Sequence, residues 1–136
     1  IAGDVAGCKI KNGIVAPACP PPDINVEDWK ASIRLIKTRR FDALYLTHFG
    51  KIDNVKSHLV ELEGRIQNWA NWIKPFYDMN TPIEEIRPQF EEYVNKQYAA
   101  GGVEGEDLER YEAANPSWMS IGGLMRYWRK KEEIMV

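Results

Sequence analysis

The run Val26-Glu27-Asp28-Trp29-Lys30-Ala31-Ser32-Ile33-Arg34-Leu35-Ile36-Lys37-Thr38, followed after Arg39-Arg40 by Phe41-Asp42-Ala43-Leu44-Tyr45-Leu46, decides how the chain is read. Trp29, Ile33 and Ile36 share one face of a helix over about 26–38. Asn25 stands where an N-cap is wanted. Lys37, Arg39 and Arg40 close the helix with cations that suit the negative end of its dipole. The six residues that follow have the pattern of a buried strand, bounded by Thr47-His48-Phe49-Gly50. Strand signals also precede the helix. Strand, crossover helix, strand is the signature of an α/β fold, and that is the expectation.

Working outward toward the N-terminus, Asn12-Gly13 separates Cys8-Lys9-Ile10-Lys11 from Ile14-Val15-Ala16. Asn-Gly supplies the two positive-φ positions of a type I′ turn, which predicts a hairpin with Lys11 opposite Ile14 and Cys8 opposite Pro17. In that register Cys19 lies diagonal to Cys8, too far for an unstrained bridge, so two free thiols and a reducing, cytoplasmic compartment are expected. Cys19-Pro20-Pro21-Pro22-Asp23 reads as a stiff extended connector.

Toward the C-terminus the pattern turns helical. Val55, Leu59, Leu62, Ile66, Trp69 and Ile73 recur at spacings of four and three, with Asp53 as an N-cap and Pro75 as a stop. Thr81-Pro82-Ile83-Glu84 reads as a capping box with Pro at the first helical position. The helix it opens carries Ile83, Ile86, Phe90 and Val94, with Pro88 as a kink, and ends at Gly101-Gly102. A shorter helix is expected over about 104–114. A last one begins near Asn115-Pro116 and carries Met119, Leu124, Tyr127 and Trp128.

Composition bounds the function classes. The 136 residues are one domain's worth of chain. Eighteen Lys and Arg against 20 Asp and Glu leave a net charge of −2, which lacks the footprint of a nucleic-acid binder. No apolar run approaches the roughly 18 residues of a membrane span. Two cysteines without a CxxC make neither a disulfide framework nor a zinc cluster. The opening Ile1-Ala2-Gly3-Asp4-Val5 already reads as the end of a strand, with no signal peptide before it, so the chain is expected to be a piece of a longer one.

Two residues stand out chemically. Gly3-Asp4 and His48 each follow a strand, and ligands in α/β folds gather at the carboxyl ends of strands. Asp plus His is a metal-ligand pair or an acid–base pair. The plainer alternatives are a turn or cap residue for Asp4 and a hydrogen-bonded structural imidazole for His48. His58 is read as exposed, on the polar side of its helix. Cys8 and Cys19 are read as small hydrophobes, and the five Trp as packing anchors, with Trp69, Trp72, Trp118 and Trp128 as alternative pocket-lining residues.

In order along the chain, Ile1-Ala2-Gly3-Asp4-Val5-Ala6-Gly7, Pro20-Pro21-Pro22-Asp23, Ser32-Ile33 and Leu44-Tyr45-Leu46-Thr47-His48-Phe49-Gly50 resemble the C-terminal half of a metallo-β-lactamase-fold hydrolase. Tyr111-Glu112-Ala113-Ala114-Asn115-Pro116-Ser117-Trp118-Met119-Ser120 and Gly123-Leu124-Met125-Arg126-Tyr127-Trp128-Arg129-Lys130 are similar to the helical extension of one bacterial subgroup. The resemblance implies residues 1–74 as the C-terminal part of an αββα sandwich and 75–136 as a helical C-terminal extension. It also implies two divalent metal ions, zinc or else iron or manganese, with Asp4 bridging them and His48 binding the second. Such ions lower the pKa of a water that attacks an ester, thioester, amide or phosphodiester in a small-molecule substrate. The family's His-x-His-x-Asp-His motif is absent from these residues. A catalytic zinc takes three protein ligands, so the chain alone is expected to be inactive and to hold no metal tightly. Self-association through a surface exposed by truncation is expected, with no nucleic-acid or membrane partner. The alternative reading is a non-catalytic helical protein-interaction module.

Overall fold

The computed structural model describes residues 3–18, 24–46 and 50–135. The one-sided apolar stripes place most of these residues in five helices: α1 (Val26–Lys37), α2 (Val55–Asp78), α3 (Ile83–Ala100), α4 (Glu106–Ala114) and α5 (Ser117–Met135). α1 starts where its cap was read, with Asn25 Oδ1 accepting the Asp28 N–H at 2.9 Å, and it buries Val26, Trp29 and Ile33. α2 buries Leu59, Leu62, Ile66, Trp69 and Ile73. Its cap is Asn54 rather than Asp53, through the Ser57 N–H at 3.3 Å.

Pro75 does not stop α2, which runs to Asp78. Losing one N–H weakens a helix, but here aromatic contacts hold the last turn. Trp72 packs on Phe76 at 4.8 Å between ring centres, and the Tyr77 hydroxyl donates to Glu132 on α5. Residues 74 and 75, where the sequence reading divides the chain, therefore lie within one helix. The capping box before α3 is not formed either, because Pro82 itself occupies the cap position without a side-chain bond. The stop at Gly101-Gly102 is as expected: Gly102 takes φ +81, and the Val103 N–H reaches back to the Tyr98 carbonyl at 2.9 Å.

α5 packs on both α2 and α3, α1 packs on α2, and α2 meets α3 through aromatic rings. Trp69 meets Phe90 edge-on at 5.3 Å, and Trp72 stacks on Tyr93 at 4.9 Å. The indole N–H of Trp69 donates to Gln97 and that of Trp128 to the Ala70 carbonyl, both at 2.9 Å, so neither ring is buried at the cost of its polar atom. Trp29 and Trp69 are buried, whereas Trp118 is half exposed.

The expectation of an α/β fold, half of an αββα sandwich, is overturned: the described chain is mostly helical. Its one sheet among the described residues joins β1 (Leu44–Tyr45) to β2 (Lys51–Ile52), antiparallel, with Leu44 opposite Ile52. The strand after α1 thus folds back on its successor instead of joining a parallel partner. Residues 3–18 hold a single isolated bridge, Cys8 with Ala16. Seven of their other peptide N–H and C=O groups are met by helix side chains, those of Trp29, His58, Glu61, Arg65, Tyr111 and Asn115. A peptide group bonded by a side chain is withdrawn from any ladder. No broad sheet face is accordingly found among the described residues.

The N-terminal loop also slips by one residue from its expected register. Cys8 pairs with Ala16, not with Pro17, and the turn closes from the Gly13 N–H to the Ile10 carbonyl at 2.9 Å, with Lys11 at φ +51. Gly13 is required for space rather than for φ. A Cβ there would lie 2.4 Å from the Tyr111 hydroxyl and 2.8 Å from a Val103 methyl.

Candidate functional site

Gly3–Ala6 form one turn of 3₁₀ helix, closed by the Gly7 N–H on the Asp4 carbonyl at 3.0 Å. Gly7 makes the exit possible, since its φ is +75 and a Cβ would meet the Ala16 carbonyl oxygen at 2.7 Å. Two helices pin this turn from outside. The Trp29 indole on α1 donates to the Val5 carbonyl at 2.8 Å, and His58 Nε2 on α2 donates to the Ala6 carbonyl at 2.6 Å. The Asp4 side chain is left exposed on a backbone that is held fixed.

Asp4 stands at the edge of a cleft of about 360 Å³ between the turn and α1, with Trp29, Ile24 and Val5 as its apolar wall and Asn25, Asp28 and Ser32 as its polar one. One carboxylate on a rigid turn suits a divalent cation as an oxygen ligand. Among the described residues, however, no group of three or more His, Cys, Asp or Glu side chains is arranged to hold a metal. The described residues by themselves do not make the two-metal centre that the resemblance implies.

His48, the second expected ligand, lies outside the described residues, as do Cys19 and the Pro20–Pro22 connector. Its flanks are described: the Leu46 N–H donates to the Gly50 carbonyl at 2.9 Å, next to the β1–β2 pair.

His58 differs most from its sequence reading. It is buried, 2% exposed, not on a solvent face. The signal was in the spacing, for position 58 falls three after Val55 and four before Leu62, on the apolar stripe itself. Burial holds its basicity below the ordinary histidine range. The charge of Lys9 acts in the same direction, against the Ala6 carbonyl and Glu61. Cys8 is a buried free thiol whose pKa burial pushes up to about 11. Tyr111 is likewise pushed up to about 12. Neither is poised as a nucleophile.

No family model, curated protein or solved structure matches the chain. No helix among the described residues is long and apolar enough to cross a membrane.

Proposed function

We propose that the chain supplies part of a metal-dependent hydrolase, with Asp4 and His48 each giving one ligand to a divalent-metal centre whose other ligands lie outside these 136 residues. The completed centre would cleave an ester, thioester, amide or phosphodiester with metal-assisted water. The observation that supports this reading is the Asp4 turn. Its carboxylate is exposed at a cleft while its carbonyls are fixed by Trp29 and His58. A ligand that does not move on binding loses less entropy to the metal. Within this chain Trp29 and His58 orient the turn, and α1 walls the cleft.

Zinc titrated calorimetrically into the chain should bind weakly, and Asp4→Asn and His48→Ala should each abolish that binding. A tight stoichiometric isotherm would refute the shared centre. So would weak binding that survives both substitutions, which would leave the helical interaction module as the better reading. That second reading has one observation of its own: Leu35, Met79 and Trp118 expose 62%, 68% and 51% of their surface on separate helices or helix ends.

A further inference from the structure

A groove of about 670 Å³ lies between the start of α1 and the last turns of α5. Part of its charge is spent within the chain. Lys131 Nζ donates to Glu27 Oε1 at 2.8 Å, and the Tyr127 hydroxyl donates to the same oxygen at 2.6 Å. What remains is one free charge of each sign. Asp28 on the α1 side and Lys130 on the α5 side are both exposed, and neither makes an ion pair with any described residue.

The groove also carries apolar surface of two kinds. Ile24 and Tyr127 line it as buried residues. Ile134 and Met135, at its α5 end, expose 83% and 79% of their surface and are the two most exposed large apolar side chains among the described residues. Such exposure beside a groove marks a contact surface. An occupant that fits must bring an acid for Lys130, a base for Asp28 and an apolar group for the wall. A partner of one charge sign meets one of the two charges and repels the other. A second copy of the chain brings all three groups. Self-complementarity of this kind is what a two-fold interface requires, because each contact is then made twice.

We propose that this groove is a two-fold interface between copies of the chain, in which Lys130 of each copy pairs with the partner's Asp28 and Ile134 of each seats in the partner's groove. The interface is built from helix ends and is separate from the β1–β2 pair. Its small extent makes it a weak, reversible contact.

Sedimentation velocity of the whole chain over a concentration series tests it, with circular dichroism confirming that each variant is folded. The wild-type chain should dimerise with a Kd of about 100 µM. Lys130→Glu and Asp28→Lys should each weaken the dimer about tenfold or more, since each turns attraction into repulsion at two symmetry-related places. The variant carrying both substitutions restores opposite charges across the interface and should return to near wild-type affinity. Ile134→Ser, at a side chain the fold leaves exposed, should weaken the dimer about tenfold. A chain that stays monomeric up to about 1 mM, which would leave the groove to a different protein, overturns the proposal. A dimer that ignores the single substitutions overturns it too, as does a combined variant no tighter than either single one.

Discussion

Replacing Tyr111 by Phe removes one oxygen from the centre of the N-terminal loop. That hydroxyl accepts the Ile10 N–H at 3.1 Å and donates to the Ile14 carbonyl at 2.7 Å, on a side chain with 0% exposure. The ring stays, stacked on Tyr98 at 4.5 Å, so packing is preserved and only the two polar contacts are lost. Each leaves a buried backbone group unmet, at about 1–3 kcal/mol apiece. Partial relaxation of the loop brings the sum to about 2–4 kcal/mol, a large share of the roughly 5–15 kcal/mol that holds a domain together. At about 3–5 °C per kcal/mol for a chain of this size, Tm should fall by about 6–20 °C. Urea unfolding followed by circular dichroism measures the energy. Hydrogen exchange at Ile10 and Gly13 should quicken selectively, because the turn they close is what the hydroxyl pins. Tyr127→Phe is the control, since its hydroxyl meets Glu27 at a partly exposed site and should cost about 1 kcal/mol or less. Equal losses for the two substitutions, or a Tyr111→Phe loss below about 0.5 kcal/mol, would show that the loop is held by something else.

Three further outcomes follow from the same contacts. His58 binds a proton more readily unfolded than folded, so stability is full above its ordinary 6.5 and falls as pH drops below it; an NMR titration of the ring with a midpoint at or above that value would contradict the burial. Cys8 is shifted the other way, from 9 to about 11, so its contribution is complete below pH 9 and is lost as pH rises toward 11; a thiol reagent near neutrality should label it only as fast as the chain unfolds. Gly13→Ala forces a methyl group against the Tyr111 hydroxyl and should destabilise by about 1–3 kcal/mol. Gly64→Ala, on α2 with nothing within 4 Å of the new atom, should stabilise by up to about 1 kcal/mol, and matched thermal melts of the two variants check the contrast.

What the sequence could disclose depended on how far apart the cause and its effect lie along the chain. The α2 stripe, the Asn25 cap and the Gly101-Gly102 stop are local, and each is found where the spacing put it. The loop register is not local. It is set by Tyr111, 97 and 101 positions from the groups it bonds, and no reading of Asn12-Gly13 alone could find a hydroxyl filling the turn from outside. The α/β expectation failed for a related reason. Leu44-Tyr45-Leu46 has strand character, but periodicity does not name a strand's partner, and here the partner lies a few residues on. The candidate site divides the same way. Asp4 was visible as a residue, while the rigidity of its turn comes from Trp29 and His58, 24 and 52 positions away. His58 in particular is legible in the spacing: reading it on the polar side of its helix overlooks that position 58 falls three after Val55 and four before Leu62, and it is buried. Among the described contacts, the turn that carries Asp4 is therefore set by side chains of α1 and α2, so a change in how those two helices pack is expected to move it.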